Sequence, residues 1–188
     1  MARRNLMKRH CREVLMDLCE THALNDITVA QFIEAAGIAR QTFYNHFSDM
    51  NDLVAYAASY IVVDSDDPLC SPASALNSYE DALRHRGFYS QLHTLTGQNN
   101  YRDAMKRYLC ETNYRLFLTD DLSPEERAYR KACIDIHYPA TVDTFLNWAA
   151  TGMETPVEIM VEALYNSAAP FIQETCRLTP TRSAEWPR

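Results

Sequence analysis

The sequence contains little glycine and no long apolar run, and both shortages restrict the possible folds. Only 4 of its 188 residues are glycine, and β-branched runs joined by two-residue turns are rare. Sheet-rich folds are therefore disfavoured. No apolar stretch approaches the roughly 18 residues that suggest a membrane-spanning helix. Because 47% of the residues are apolar, the chain can bury a sizeable core, and we predict a globular, all-α protein.

The six cysteines are not arranged for metal or dithiol chemistry, because no Cys-x-x-Cys pair occurs. We interpret them as reduced, mostly buried side chains, with a thiol sensor as a secondary hypothesis. The basic N-terminus leads into an amphipathic stretch that carries Glu13, Asp17 and Glu20, so no signal peptide is expected. These features predict a cytoplasmic protein that contacts no membrane and needs no cofactor.

Charge is distributed unevenly along the chain. The formal net charge of −7 is unusual for a protein that neutralises phosphates. Residues 1–12 nevertheless contain no acid, and the excess of carboxylates lies after residue 48. The cations of this basic end are Arg3, Arg4, Lys8, Arg9 and Arg12. We interpret Arg3, Arg4 and Lys8 as candidate phosphate contacts.

Apolar spacing and capping residues predict helices throughout the chain. A first helix covers residues 4–22. Thr28 and Gln31 form the expected capping box of a second helix, which Gly37 ends in a left-handed turn. A third helix continues to Phe47. A fourth helix is predicted from Ser48 or Asp49 to the acidic loop at residue 64. A fifth covers 72–86 and is broken at Gly87. The remaining helices are predicted over 88–95, 101–118, 124–150 and 155–172.

The third predicted helix has an unusually polar outer face. Its members are Arg40, Gln41, Thr42, Tyr44, Asn45 and His46. So many hydrogen-bonding groups require water or a partner. Two short helices at a tight glycine-containing turn are typical of a helix-turn-helix, whose second helix enters the major groove of DNA. Guanidinium, amide and imidazole groups suit base edges, hydroxyls suit phosphate oxygens, and Thr28 adds an anion-accepting helix N-terminus.

Residues 27–53, ITVAQFIEAAGIARQTFYNHFSDMNDL, resemble the signature of the tetracycline-repressor (TetR) family. The matching elements are Thr28-Val29, Ala36-Gly37-Ile38, Thr42-Phe43-Tyr44, His46-Phe47 and Asp52-Leu53. The resemblance implies a homodimer that binds double-stranded operator DNA, with an effector that alters the spacing of the DNA-binding heads. The chain departs from the family at Ala39, where serine is usual, and at Met50, where lysine is usual.

The same resemblance implies a helix-turn-helix domain over residues 1–50 and a larger helical domain over 51–188. Aromatic and methionine side chains are frequent on the middle helices of the second domain, where they either fill a core or line an effector pocket. The candidates for a small apolar or aromatic effector are Tyr89, Tyr101, Met105, Tyr108, Phe145 and Trp148. Apolar stripes over 124–150 and 155–172 are the expected dimer contacts.

Two other function classes stay open. The same fold can serve as a protein-interaction adaptor that uses the polar third helix on a protein. The acidic residues of the loop at 64–67 resemble the magnesium sites of some helical enzymes, although ordinary turn chemistry explains them more simply. Cys133 and His137 lie four apart, as two metal ligands would, but packing and solvation explain them more simply as well. We therefore predict a ligand-responsive repressor without catalytic residues or a metal site.

Overall fold

The computed structural model describes the backbone of residues 2–63, 71–95 and 100–178, and side chains within 6–60, 71–95 and 100–176. In these ranges the chain is helical and contains no strand, so the predicted all-α class is confirmed. None of the described helices is both long and apolar enough to cross a membrane. The helices are α1 Ala2–Cys19, α2 Val29–Ala36, α3 Arg40–Tyr44, α4 Met50–Val63, α5 Pro72–Arg84, α6 Arg86–Tyr89, α7 Tyr101–Phe117, α8 Pro124–Ala150, α9 Val157–Asn166 and α10 Pro170–Leu178.

Local signals in the sequence fix both ends of α2. The Gln31 backbone N–H donates to the Thr28 hydroxyl at 3.2 Å, and the Thr28 N–H donates to the Gln31 side chain at 2.9 Å. Gly37 has φ of +63° at the other end, where its N–H closes the last turn. The predicted capping box and the predicted left-handed glycine are both confirmed. Each could be predicted because it depends only on neighbouring residues.

The predicted ends of two other segments are wrong. The third helix ends at Tyr44 and not at Phe47, because the His46 N–H bonds to the Phe43 carbonyl in a tighter turn, at 2.9 Å. The fifth helix ends at Arg84, before Gly87. Gly87 does not break a helix but lies inside the short helix α6. The predicted helix over 88–95 is accordingly replaced by α6 and a 3₁₀ turn at Leu92–Thr94.

The single helix predicted over 155–172 is also wrong, because it consists of α9 and α10. Pro170 begins α10, where its missing N–H costs nothing, whereas inside a helix it would remove a hydrogen bond. The Gln173 side chain donates to the Ala168 carbonyl at 2.9 Å and satisfies part of the break. By contrast, α8 runs uninterrupted through Pro139 over its full predicted length.

The core is continuous from α1–α3 into the remaining helices, α4–α10, which we call the helical body. Helix α4 packs against α1 on one side and against α5 and α7 on the other, α7 packs along α8, and α5 packs along α9. Near α3, Phe32, Phe43 and Phe47 are fully buried, with Phe43 5.7 Å from each of the other two ring centroids. Each such ring contributes about 1.5–3 kcal/mol through burial. The division near residue 50 stays a prediction.

Candidate nucleic-acid interface and internal cavity

Helix α3 is held on the surface by a single buried side chain. Phe43 lies between Phe32 and Phe47, so that the opposite side of this five-residue helix faces outward. Arg40, Gln41 and Asn45 are exposed. Tyr44 is 43% exposed although its ring contacts Phe43 edge-on at 5.3 Å. The packing therefore orients the polar face without covering it.

The exposed residues of α3 are ordered as pairs one helical turn apart. Arg40 donates to the Tyr44 hydroxyl at 3.4 Å, and its guanidinium lies 5.5 Å from the centre of the Tyr44 ring. The Gln41 amide donates to the Asn45 side chain at 3.0 Å. Solvent-exposed bonds of this kind contribute little stability, so they can be exchanged for bonds to a partner.

Three other candidate DNA-contact residues are partly buried or take part in hydrogen bonds within the protein. Thr42 and His46 are half-buried, and the His46 ring lies 6.4 Å from that of Phe47. Thr28 is exposed, but its hydroxyl donates to the Gln31 side chain at 2.7 Å and also serves the helix cap. These side chains have a structural role in addition to any contact with DNA.

Of the three predicted phosphate contacts, the structure describes the side chain of Lys8 alone. The side chains of Arg3 and Arg4 lie outside the described residues. Lys8 is a half-buried residue, and its ammonium lies 5.1 Å from the Phe47 ring centre and 4.9 Å from the Tyr56 ring centre. Lys8 therefore packs over aromatic faces beside α3, with its charge close to the candidate interface.

Arg12, a cation of the basic end, forms a buried ion pair with Asp81 of α5. The two residues are 7% and 3% exposed. Arg12 also donates through Nε to the Ala57 carbonyl at 3.2 Å, and the Tyr89 hydroxyl donates to Asp81 at 2.7 Å. Burial, followed by the Asp81 charge, raises the pKa of Tyr89 well above its usual value, which keeps the hydroxyl a donor. This network joins α1 to the helical body.

Further contacts hold the end of α1 against α6 and the turn after it. The Leu24 N–H donates to the Gln91 side chain at 2.7 Å, and Asn25 donates to Thr94 at 3.0 Å. Gly87 packs so closely that a Cβ atom there would lie 2.8 Å from the Cys19 carbonyl oxygen. We call this region, with Arg12, Asp81 and Tyr89, the α1 junction. Its partners are far apart in the sequence, and sequence patterns gave no signal for it.

A cavity of about 90 Å³ lies in the body between α5, α7 and α8, next to the α1 junction. Four predicted effector-site residues line it, namely Tyr89, Tyr101, Met105 and Phe145. The other two do not. Tyr108 is exposed on α7, and Trp148 is buried with its indole N–H donating to the Thr155 carbonyl at 2.9 Å. Lining residues that sequence patterns missed include Ser74, Ser78, Tyr79, Leu109, Thr141 and Val142.

A wider groove of about 510 Å³ lies along α8 and α9 on the outside of the body. Cys133, Ile136 and His137 line it together with Met160. Ile136 is 74% exposed, and Ile159 of α9 is 54% exposed. Burial lowers the pKa of His137 below its usual value. Large apolar side chains that are this exposed on the two helices beside the groove mark a candidate contact surface.

The two metal hypotheses have different outcomes. Within the side chains that the structure describes, no group of three His, Cys, Asp or Glu residues is placed to hold a metal ion. Cys133 and His137 therefore lack a third ligand among those residues. The acidic loop at 64–67 lies outside the described residues.

Comparisons with known proteins support the fold. No protein-family model matches the sequence, and no curated protein matches it. Among solved structures, the chain is similar to the dihydroxyacetone kinase operon activator DhaS, with a TM-score of 0.60 and 14% sequence identity. The similarity covers 93% of this chain and 98% of the other. At this identity it shows a shared fold, which agrees with the all-helical architecture implied by the tetracycline-repressor resemblance.

Proposed function

We propose that the protein is a cytoplasmic, non-enzymatic transcription regulator that inserts α3 into the major groove of operator DNA. The observation that carries the proposal is the polar face of α3, exposed and oriented by the buried Phe43. The left-handed Gly37 sets the sharp turn between α2 and α3. The operon activator with which the chain shares its fold supports the same class of function.

Each exposed residue of α3 has a role in this proposal. Arg40 reaches guanine edges or phosphate, and the Tyr44 hydroxyl binds a phosphate oxygen. Gln41 and Asn45 exchange the bond between them for bonds to base edges. Arg3, Arg4 and Lys8 neutralise phosphates beside the major groove, and the hydroxyls of Thr28 and Thr42 contact the DNA backbone. The His46 imidazole pairs with a base edge.

We propose that the active form is a homodimer, because a short recognition helix becomes specific when two copies read two half-sites. The groove along α8 and α9 supports this, since Ile136 and Ile159 expose apolar area that a second copy would cover. Replacing Ile136 by Asp should yield monomers in light scattering. A wild-type protein that is monomeric at micromolar concentration would contradict the dimer.

We propose that the cavity in the body is the effector site and that its occupation weakens DNA binding, as in a repressor. Tyr89 supports a route for the signal, because it lines the cavity and also bonds to Asp81, the partner of Arg12 in α1. An occupant that moves Tyr89 would disturb the α1 junction and with it the position of α3.

The test is fluorescence anisotropy with a duplex selected from a random library, at two salt concentrations. Arg40→Ala should weaken selective binding by about tenfold or more, since a base-edge contact contributes about 1–3 kcal/mol. Tyr44→Ala removes a phosphate contact and should weaken binding about equally to all sequences. The matched control is Arg115→Ala, whose 78% exposed side chain lies on α7 away from α3. Binding without selectivity at low salt would contradict the regulator and favour the protein-interaction adaptor.

A further inference from the structure

Two tyrosines that line the cavity have hydroxyls with no hydrogen-bonding partner among the residues that the structure describes. They are Tyr79 of α5 and Tyr101 of α7, which are only 3% and 7% exposed. Neither hydroxyl is among the fully enclosed side-chain atoms that lack a partner, so each can form its hydrogen bond with an occupant of the cavity. The wall of the cavity therefore includes tyrosines whose hydroxyls are not committed to another described residue.

Three of the four neighbouring hydroxyls have partners; the fourth, that of Ser74, has no described hydrogen bond and adds a further polar group to the cavity wall. Tyr89 donates to Asp81, Ser78 donates to the Ser74 carbonyl at 3.0 Å, and Thr141 donates to the His137 carbonyl at 2.9 Å. Helical serine and threonine residues commonly bond to the preceding turn in this way. Tyr79 and Tyr101 lie on different helices and have no such local carbonyl.

The cavity suits an uncharged occupant. No charged side chain is among its described lining residues. Burial raises the pKa of Tyr79 to about 12, and burial together with the nearby Tyr79 raises the pKa of Tyr101 further. Both groups are therefore neutral O–H donors at neutral pH. An ion bound here would have no compensating charge among these lining residues.

Size and lining restrict the occupant further. The volume of about 90 Å³ is smaller than the roughly 150 Å³ of an apolar cavity that binds benzene. The walls beside the two hydroxyls are apolar and include Met105, Val142 and Phe145. A fitting molecule has a few carbon atoms and a single polar end. An oxygen with two lone pairs accepts from both tyrosines at once.

We propose that the cavity binds a small uncharged molecule through one oxygen acceptor, such as a carbonyl, held between the hydroxyls of Tyr79 and Tyr101. The proposal names the ligand class of the effector site and rests on the proposed function only for the effect of this ligand on DNA binding. The binding event itself requires no DNA.

Three probes of nearly equal shape test it, namely butanone, 2-methyl-1-butene and propionate. The alkene replaces the carbonyl oxygen by a methylene group, and propionate introduces a negative charge. Each is titrated into full-length protein labelled with ¹³C at the methionine methyls, and binding is followed by NMR. Met105 lines the cavity, whereas the buried Met16 and Met153 lie outside it and serve as internal references.

Butanone should shift the Met105 signal saturably, and Tyr79→Phe or Tyr101→Phe should weaken its binding about tenfold, the effect of one lost hydrogen bond. Both variants keep the ring and hence the packing. The alkene should bind these variants as tightly as the wild type or more tightly. Tyr108→Phe, on the exposed part of α7, should change nothing.

Several outcomes would overturn the proposal. If no probe shifts Met105, the cavity holds water only. If the butanone-to-alkene affinity ratio changes less than twofold in the phenylalanine variants, the hydroxyls do not select the ligand. Propionate binding more tightly than butanone would indicate an anion site. A chain that binds butanone as expected but no duplex would keep the ligand class and remove the regulator.

Discussion

Two arginines, Arg40 on α3 and Arg12 at the α1 junction, differ in burial and in the work that they do. Arg40 is exposed, and its described partner is the exposed Tyr44 one turn away. Arg12 is 7% exposed and has a carboxylate, a backbone carbonyl and an aromatic ring as partners. The first is available to another molecule, whereas the second is committed to the fold.

A basic sequence segment is therefore not uniformly a binding surface. Arg12 belongs to the same stretch of cations as Arg3 and Lys8, yet burial commits it to Asp81. Because a buried charge without its partner is very unfavourable, the pair fixes how α1 meets α5. At α3 the polar groups are in water, so their local bonds can be exchanged at little cost to stability.

The largest expected effect is on the unfolding free energy of Arg12→Ala. This change leaves Asp81 buried without its main partner and should cost about 3 kcal/mol, near the lower end for a broken buried pair because Arg84 is also near Asp81. Arg40→Ala, in water, should change stability by less than about 0.5 kcal/mol. Urea unfolding at pH 7 measures both, and equal losses would contradict the distinction.

Two glycines extend the comparison to backbone packing. Gly87→Ala at the α1 junction would place a Cβ 2.7 Å from Glu20 and 2.8 Å from the Cys19 carbonyl, and should cost about 1–3 kcal/mol through overpacking. At Gly37 no atom lies within 4 Å of the position that a Cβ would take, so Gly37→Ala should cost about 1 kcal/mol from its left-handed backbone alone. Thermal unfolding compares them, and a harmless Gly87→Ala would show that the junction is loosely packed.

Thr28 tests whether a residue of the candidate interface also supports the fold. Thr28→Ala removes the side-chain cap of α2 and should lower the unfolding free energy by about 1 kcal/mol. Thr28→Ser retains the hydroxyl and is the matched control. If the alanine variant loses DNA affinity at unchanged stability, the role of Thr28 is contact and not capping.

The smallest expected effect is a dependence of stability on pH in the body. Burial lowers the pKa of both His137 and His85 below the ordinary value of 6.5. The unfolded chain therefore binds more protons as the pH falls below about 6.5, so this stability is present above that value and is lost towards acid. Urea unfolding at pH 7.5 and 5.5 should show the loss, and His137→Gln should reduce it. A pH-independent difference between wild type and variant would contradict it.

Sequence patterns predicted those parts of the fold that depend on neighbouring residues. The cap at Thr28, the turn at Gly37 and the proline-led start of α8 follow from backbone geometry within a few positions. The break at His85 and the division of the last helix were missed. Both depend on what packs against the segment, since Gly87 serves a close approach and Pro170 begins a helix of its own.

The candidate interface was predictable to a greater extent than the cavity. Polar residues on a short helix with one buried phenylalanine form a periodic pattern, and Arg40, Gln41 and Tyr44 of α3 are exposed, as is Asn45 directly after it. The cavity is lined by helices that are distant in sequence. Residue type alone does not distinguish an exposed tyrosine such as Tyr108 from a buried one such as Tyr101. Composition therefore suggested the aromatic lining but could not select its members or find Tyr79.

By itself the sequence determined that the chain is helical, where several helices begin and end, and which short helix has a polar outer face, because these features depend on residues a few positions apart. Only the tertiary structure decided that Arg12 is buried against Asp81, that Gly87 allows α6 to approach α1, and that Tyr79 and Tyr101 line one cavity. Those arrangements depend on burial and distance between remote segments, which residue spacing does not encode.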